Sequence, residues 1–108
     1  MSEMNQIVVR DKTPQSVEID PSCHSAYIRF SNNKVKKTVA DKRAGAIISI
    51  DLDAAGHVIG IELVGVKEFS ISAIRHHLPE QFRNVDFERA RFTPAAQVAC
   101  HHRGMQPA

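Results

Sequence analysis

An alternation of apolar and polar residues between Val17 and Leu63 constrains the fold more than any other feature of the sequence. The segments AYIRF (26–30), AIISIDL (46–52) and HVIGIELVG (57–65) carry apolar side chains at every second position. A period of two residues is typical of β-strands that bury one face and expose the other. Turn-forming residues separate these segments at short intervals. Short strands joined by short turns predict sequential antiparallel pairing, which is a β-meander.

Five strands are predicted, at VEI (17–19), AYIRF (26–30), VKKTV (35–39), AIISIDL (46–52) and HVIGIELVG (57–65). Asp20-Pro21 favours a turn after the first strand, and Asn32-Asn33 favours a two-residue hairpin turn after the second. Gly60 interrupts the fifth strand, which predicts either a bulge or the close approach of a helix or partner subunit. The apolar face is expected to contain Ile28, Phe30, Ile48, Ile50, Ile59 and Ile61.

The period changes from two to helical in FSISAIRHHLP (69–79), where Ile71, Ile74 and Leu78 recur at three and four residues. Ser70 stands at the position of an N-cap, and a proline ends the segment. The predicted fold class is therefore α+β: an antiparallel β-meander of four to five strands with one short helix after the last strand.

The chain of 108 residues has the length of one domain. We predict a loose N-terminal arm over residues 1–15, a β-meander plus helix domain over 16–78, and a partly ordered extension over 79–108. Four apolar residues make the extension too apolar for pure disorder: Phe82, Val85, Phe87 and Phe92.

Composition removes several functional classes from consideration. A formal net charge of +2 gives no overall attraction to nucleic acid, and two cysteines are too few for a disulfide framework. No window has the length and apolarity of a membrane span, and the first residues lack the apolar stretch of a secretory signal. We therefore expect a cytoplasmic protein with reduced thiols and no membrane partner.

The segment IDLDAAGHVIGIE (50–62) matches part of an EF-hand calcium loop. The matching residues are Asp51, Asp53, Gly56 and Glu62. Ala55 and Ile59 fall at two ligand positions and provide no oxygen, and the flanking residues alternate like strands rather than helices. A β-hairpin with a type I turn at DAAG (53–56) explains the same residues, with Gly56 in the left-handed conformation.

Two stretches carry a family resemblance, YIRFSNNKVKKTV (27–39) and GAIISIDLDAAGHVIGIELVGV (45–66). They resemble the small bacterial family known as domain of unknown function 2283, over about residues 16–78. The matching residues are Asp20, Pro21, Tyr27, Ile28, Asp51, Leu52, Asp53, Gly56, Gly60, Ile61 and Glu62. The chain departs from the family at Cys23, His24 and Ser25, where acidic residues are frequent.

The resemblance implies a small β-meander domain with no established activity, cofactor or substrate. It also implies an association with toxin-like neighbours, so that a small protein partner encoded nearby is conceivable.

Histidine and cysteine form three groups, at 23–24, 76–77 and 100–102. Zinc needs three or four such ligands that converge on one point, and no C-x-x-C or H-x-x-x-H spacing is present. We predict no catalytic residue, no metal site and no cofactor. A metal- or thiol-dependent enzyme that uses these groups is kept as an alternative function.

Basic residues concentrate between Arg29 and Arg43. Such a segment can attract an acidic partner or a phosphate backbone, or it can protect an edge strand from aggregation. Aromatic residues that could stack on bases are scarce there, which makes nucleic acid the weaker candidate. The predicted partner-binding residues are Arg29, Lys34, Lys36, Lys37 and Arg43.

The predicted helix is too short to cover the predicted sheet. Five strands span about 24 Å, whereas eight helical residues extend about 12 Å. We expect the extension to cover part of the apolar face and a homodimer to cover the rest. The predicted function is a non-enzymatic interaction or regulatory domain, an antitoxin-like partner protein. Weak nucleic-acid binding through Lys34–Arg43 is a second alternative.

Overall fold

The computed structural model describes Ile7, residues 13–43 and residues 45–94, except for the side chain of Arg43. Within these residues the chain forms six strands, one α-helix and two 3₁₀ turns. The strands are β1 (Ser16–Asp20), β2 (Ser25–Arg29), β3 (Lys37–Arg43), β4 (Ala46–Leu52), β5 (Val58–Val64) and β6 (Arg91–Pro94). The helix α1 spans Ile71–His77, and the 3₁₀ turns span Pro21–Cys23 and Glu80–Phe82.

The six strands form one mixed sheet in the order β3-β4-β5-β2-β1-β6. Four pairs are antiparallel, whereas β1 and β6 are parallel. The predicted antiparallel meander is therefore wrong, because β2 pairs with β5 instead of β3. The helix also does not follow the last strand, since α1 lies between β5 and β6. The fold is mostly β.

The burial of β5 explains why the strands are not paired in sequence order. Its five central residues are all buried, as expected for a strand with neighbours on both sides and cover on both faces. In contrast, β3 has four charged residues out of seven. A meander would place β3 between β2 and β4, where those charges would lose water. The observed order places β3 at an edge of the described sheet and β5 in its interior.

The predicted hairpin turn at Asn32-Asn33 is also wrong. After β2, the backbone N–H groups of Phe30 and Ser31 both donate to the carbonyl of Ile59, at 2.7 and 3.1 Å. These bonds hold the chain against β5 as it leaves β2. The following residues then cross the sheet and enter β3 beside β4.

The predicted hairpin between β4 and β5 is confirmed. The N–H of Gly56 donates to the carbonyl of Asp53 at 3.0 Å, and Gly56 has a φ of 85°. The Asp53 carboxylate accepts the N–H groups of His57 and Ala55, both at 2.9 Å, and these bonds lower the pKa of the carboxyl group. The residues on both sides of the turn are strands, whereas an EF-hand loop needs helices.

A bulge beside this hairpin changes which residues face the core. Asp51 pairs with Gly60, but Leu52 pairs with Val58, so Ile59 is the extra residue. Val58 packs against the core cluster in consequence. Ile59 is buried but lies outside that cluster, so its predicted place beside Ile61 on the apolar face is wrong.

The predicted helix is confirmed, with its N-cap. The Ser70 hydroxyl oxygen accepts the N–H of Ala73 at 3.2 Å. The helix ends before Leu78, whose extended backbone leads into Pro79. With seven residues, α1 has neither the length nor the apolarity to cross a membrane, and the same holds for every other helix in the described ranges.

The segment after the helix covers the apolar face of the sheet. Phe82, Val85 and Phe87 are at most 2% exposed and join the core cluster with Ile74 and Leu78. The prediction that the extension covers part of the apolar face is therefore confirmed. The sheet residues beneath, including Ile28, Ile50 and Ile61, are 0% exposed in the single chain. The homodimer stays a prediction, but the apolar face no longer requires it.

The predicted N-terminal arm lies largely outside the described residues, whereas about half of the predicted C-terminal extension is described. Ile7 is described, and it is buried in the core cluster. In the extension, the residues up to Pro94 are described, and β6 adds to the sheet beside β1.

Replacement of Phe82 with alanine tests whether the segment after the helix is part of the core. Because Phe82 is 0% exposed, we expect Phe82→Ala to lower the free energy of unfolding by about 3–5 kcal/mol. Phe92 is 40% exposed, so Phe92→Ala should cost about 1 kcal/mol or less. Urea unfolding followed by circular dichroism measures both. Equal losses in the two variants would contradict this packing.

Candidate functional site

Four residues of the family pattern, Tyr27, Asp51, Gly60 and Glu62, lie on the face of the sheet opposite the apolar core. Tyr27 pairs with Glu62, and Asp51 pairs with Gly60 on one side and with Thr38 on the other. Side chains at these positions share one face, because alternate residues of a strand point the same way. Residues from four strands, β2 to β5, therefore form this cluster, which we call the tyrosine–carboxylate cluster: Tyr27, Thr38, Asp51, Gly60 and Glu62.

Gly60 provides the space for the side chain of Tyr27. A Cβ atom at position 60 would lie 2.1 Å from the Tyr27 hydroxyl oxygen and 2.3 Å from its Cζ. No real side chain tolerates such distances, so the ring can cross β5 only over a glycine. The ring thereby reaches β4, where its hydroxyl group donates to Oδ2 of Asp51 at 2.9 Å. The predicted bulge lies next to Gly60, and the close approach is made by a tyrosine ring rather than by a backbone.

Asp51 is a fully buried carboxylate held between two hydroxyl groups. It is 0% exposed, and Thr38 donates to its Oδ1 at 2.7 Å while Tyr27 donates to its Oδ2. A carboxylate removed from water is costly unless such bonds replace its hydration. Glu62 is 5% exposed on the same face. The hydrogen bonds fix Asp51 in place and tie β2, β3 and β4 together, so this cluster has a structural role.

An ion pair between β1 and β2 lies beside this cluster. Arg29 contacts the Glu18 carboxylate through Nε at 2.8 Å and Nη2 at 3.3 Å. Its guanidinium carbon lies 4.9 Å from the centre of the Tyr27 ring. The hydrogen bond from Arg29 lowers the pKa of Glu18, and the bond to Glu18 raises the pKa of Arg29. Arg29, a predicted partner-binding residue, is thus engaged within the chain.

The other predicted partner-binding residues lie along the edge of the sheet. Lys34 and Lys36 are exposed in the segment before β3, and Lys37 is exposed at its first position. Arg43 is the last residue of β3. Lys42, also exposed, precedes it. These residues lie in one stretch of the chain, 34–43, and the sequence did not predict that this stretch forms an edge away from β2. Their role in partner binding stays a prediction. We call Lys34–Arg43 the basic edge.

The histidine and cysteine groups are not brought together in the described residues. Cys23 is buried and disulfide-bonded, so the expected reduced thiol is wrong at this position. His24 is exposed in a left-handed turn, and His76 and His77 lie on α1. Residues 100–102 lie outside the described residues. Within residues 13–43 and 45–94, no three histidine, cysteine or acidic residues are placed to hold a metal ion.

A cleft of about 510 Å³ lies beside α1, and its polar lining includes Lys67, Glu68, Ser72, His76 and His77. Its volume is within the range of small-molecule sites. Lys67 and Glu68 contribute opposite charges to its lining. The cleft therefore offers no charge preference that would identify a ligand.

The tyrosine–carboxylate cluster is not predicted from the sequence of any one strand, because its members come from four strands. Asp51 and Glu62 were assigned to a hairpin, and Gly60 to a bulge or a contact between elements. The sequence does contain one signal for the cluster: Tyr27 and Gly60 both lie on the polar faces of their strands, β2 and β5, and these strands are neighbours. That neighbour relation depends on the pairing of β2 with β5, which the meander did not contain.

Substitution of Gly60 tests whether the Tyr27 ring determines the residue at that position. We expect Gly60→Ala to lower the free energy of unfolding by about 1–3 kcal/mol, because the new methyl group overlaps the ring. In a chain that already carries Tyr27→Ala, the same substitution should cost much less. A double-mutant cycle from urea unfolding measures this coupling. Additive losses would show that the ring and the glycine do not interact.

The pH dependence of stability tests the Arg29–Glu18 ion pair. The pKa of Glu18 is lower in the folded chain than its ordinary value of 4.5. The pair therefore stabilises the fold above that ordinary value, and this contribution is lost as the pH falls through the lowered pKa. Glu18→Gln should reduce stability at neutral pH, and its difference from the unsubstituted chain should disappear in strong acid. Glu88→Gln, at an exposed position, is the control and should show no such trend in urea unfolding.

Comparison with known proteins gives a family match over one segment of the chain and no activity. Residues 16–67 match the family model described as "Protein of unknown function (DUF2283)". No curated protein and no solved structure matches the chain. The matched segment begins with β1, ends just after β5, and contains every residue of the tyrosine–carboxylate cluster. The resemblance expected from the sequence is confirmed over this segment: residues 16–67 are similar to the DUF2283 family of unknown function.

Proposed function

We propose that the chain is a non-enzymatic interaction or regulatory domain that binds an acidic protein partner at the basic edge. The observation that carries this proposal is the place of β3 at one edge of the described sheet. The four lysines of the basic edge are exposed, and Asp41 is the one acidic residue of the segment. Exposed cations of one sign steer the approach of an oppositely charged partner and increase the association rate.

The bonds that Asp51 and Cys23 already make within the chain support a binding role for the protein rather than catalysis. Asp51 accepts bonds from two hydroxyl groups, and Cys23 is part of a disulfide, so neither is a poised base or nucleophile. The concrete form of the proposal, an antitoxin-like partner, rests on the family resemblance alone. A protein product of a neighbouring gene is the partner to test first.

Co-expression with the neighbouring gene product tests the proposal. We expect the tagged full chain to retain that product, and Lys34→Glu/Lys36→Glu to weaken retention, because two attractions become repulsions. The matched control is Lys67→Glu/Arg89→Glu, which changes the net charge equally at exposed positions outside the basic edge. Calorimetry of the purified pair gives the affinities, and the two charge reversals should weaken the affinity for the partner about tenfold.

Three results would contradict the proposal. The first is no retained partner, and the second is equal weakening in both double variants. The third is stronger, salt-dependent binding of the chain to duplex DNA than to the protein partner, which would favour the nucleic-acid alternative.

A further inference from the structure

The edge of β3 has the length and the main-chain groups to accept another strand. β3 has seven residues, and no strand of the described residues pairs with its outer side. An edge strand presents unpaired N–H and carbonyl groups to solvent. An extended peptide can pair with such groups, and its side chains then determine specificity.

The other edge of the described sheet is less suited to such pairing. β6 has four residues and ends in Pro94, which has no N–H group to donate. Because β3 is longer than β6 and contains no proline, β3 is the better edge for strand addition.

The charges on the basic edge specify what kind of strand it accepts. Lys36 and Lys37 lie at one end of β3, and Lys42 and Arg43 lie at the other. Between them, Ala40 is exposed and small, and Val39 is 9% exposed at the border of the core. A matching strand therefore has acidic residues at both ends and small or apolar residues in its middle.

A second copy of β3 does not meet this requirement. Twofold antiparallel pairing about Ala40 places position 37 opposite position 43, and position 38 opposite position 42. The first of these pairs sets Lys37 against Arg43, and like charges directly opposite each other destabilise a sheet. In this register the basic edge disfavours its own copy, whereas an acidic segment meets no such repulsion.

One backbone group of β3 already binds a carboxylate. The N–H of Lys42 donates to Oδ1 of Asp41 at 2.8 Å. This bond engages the amide at the far end of the strand, so the stretch available for pairing is centred on Thr38 and Ala40, both of which are exposed.

We infer that the partner adds to the sheet as a further strand, through an extended acidic segment that pairs with β3. This inference rests on the proposed function, and it specifies how the basic edge binds. Backbone hydrogen bonds supply the pairing, and the lysines on both sides of its centre select acidic side chains.

Hydrogen exchange on the full chain tests the mode of binding. The probe is the capped heptapeptide Glu-Glu-Thr-Val-Thr-Glu-Glu, and the control peptide has glutamine in place of every glutamate. We expect the acidic peptide to bind with a dissociation constant of about 1 mM or tighter. At saturation, alternate backbone amides of β3 should exchange at least about tenfold more slowly, as measured by NMR. The amides of β6 should not change.

Variants of the chain separate strand addition from attraction by charge. Lys36→Gln/Lys42→Gln should weaken peptide binding about tenfold, whereas Lys67→Gln/Arg89→Gln should not weaken it. Binding without alternate protection along β3 would overturn strand addition and leave the proposed function standing. Equal protection by the neutral peptide would overturn the requirement for acidic residues. Absence of peptide binding would overturn this inference, and the co-expression experiment would still decide the proposed function independently.

Discussion

Burial of β5 on both faces is the constraint from which the rest of the sheet follows. A strand whose five central residues are buried needs a neighbour on each side, and β4 and β2 take those places. Once β2 pairs with β5, its other side is left for β1. The remaining strand in this part of the chain, β3, must then lie outside β4. The desolvation cost of its lysines acts in the same direction, because an edge leaves them in water.

The tyrosine–carboxylate cluster completes the polar face of this arrangement. Asp51 lies on β4, where it is removed from water, and its two hydroxyl partners come from β2 and β3. The Tyr27 ring must cross the intervening β5 to make its bond, and the glycine at position 60 permits that crossing. The cluster therefore depends on the same strand order that buries β5. Its hydrogen bonds in turn favour that order over a meander, which would not bring Tyr27 and Asp51 to either side of Gly60.

Local patterns in the sequence predicted the elements well, and their pairing poorly. The alternation in AIISIDL, the Asp53–Gly56 turn and the Ser70 cap each depend on residues within a few positions, and each is confirmed. The position of β3 depends instead on a comparison between strands: which can be buried and which must remain hydrated. The bulge at Ile59 arises from the pairing of β4 with β5 and has no local signal beyond Gly60. The candidate cluster was missed for the same reason, since its members meet only across paired strands.

The strand order also bears on where a partner can bind. The segment that contains Phe82 and Phe87 covers the apolar face, and the hydrogen bonds of Asp51 are made within the chain. A partner that binds the apolar face would have to displace part of the core. A partner that binds Asp51 would have to break buried hydrogen bonds. The basic edge imposes neither cost, because its lysines are exposed and already separated from the core. If an acidic strand adds to β3 as we infer, the charges that oppose pairing between two copies of β3 also select the partner, so protection from self-pairing and selection of a partner have one physical origin.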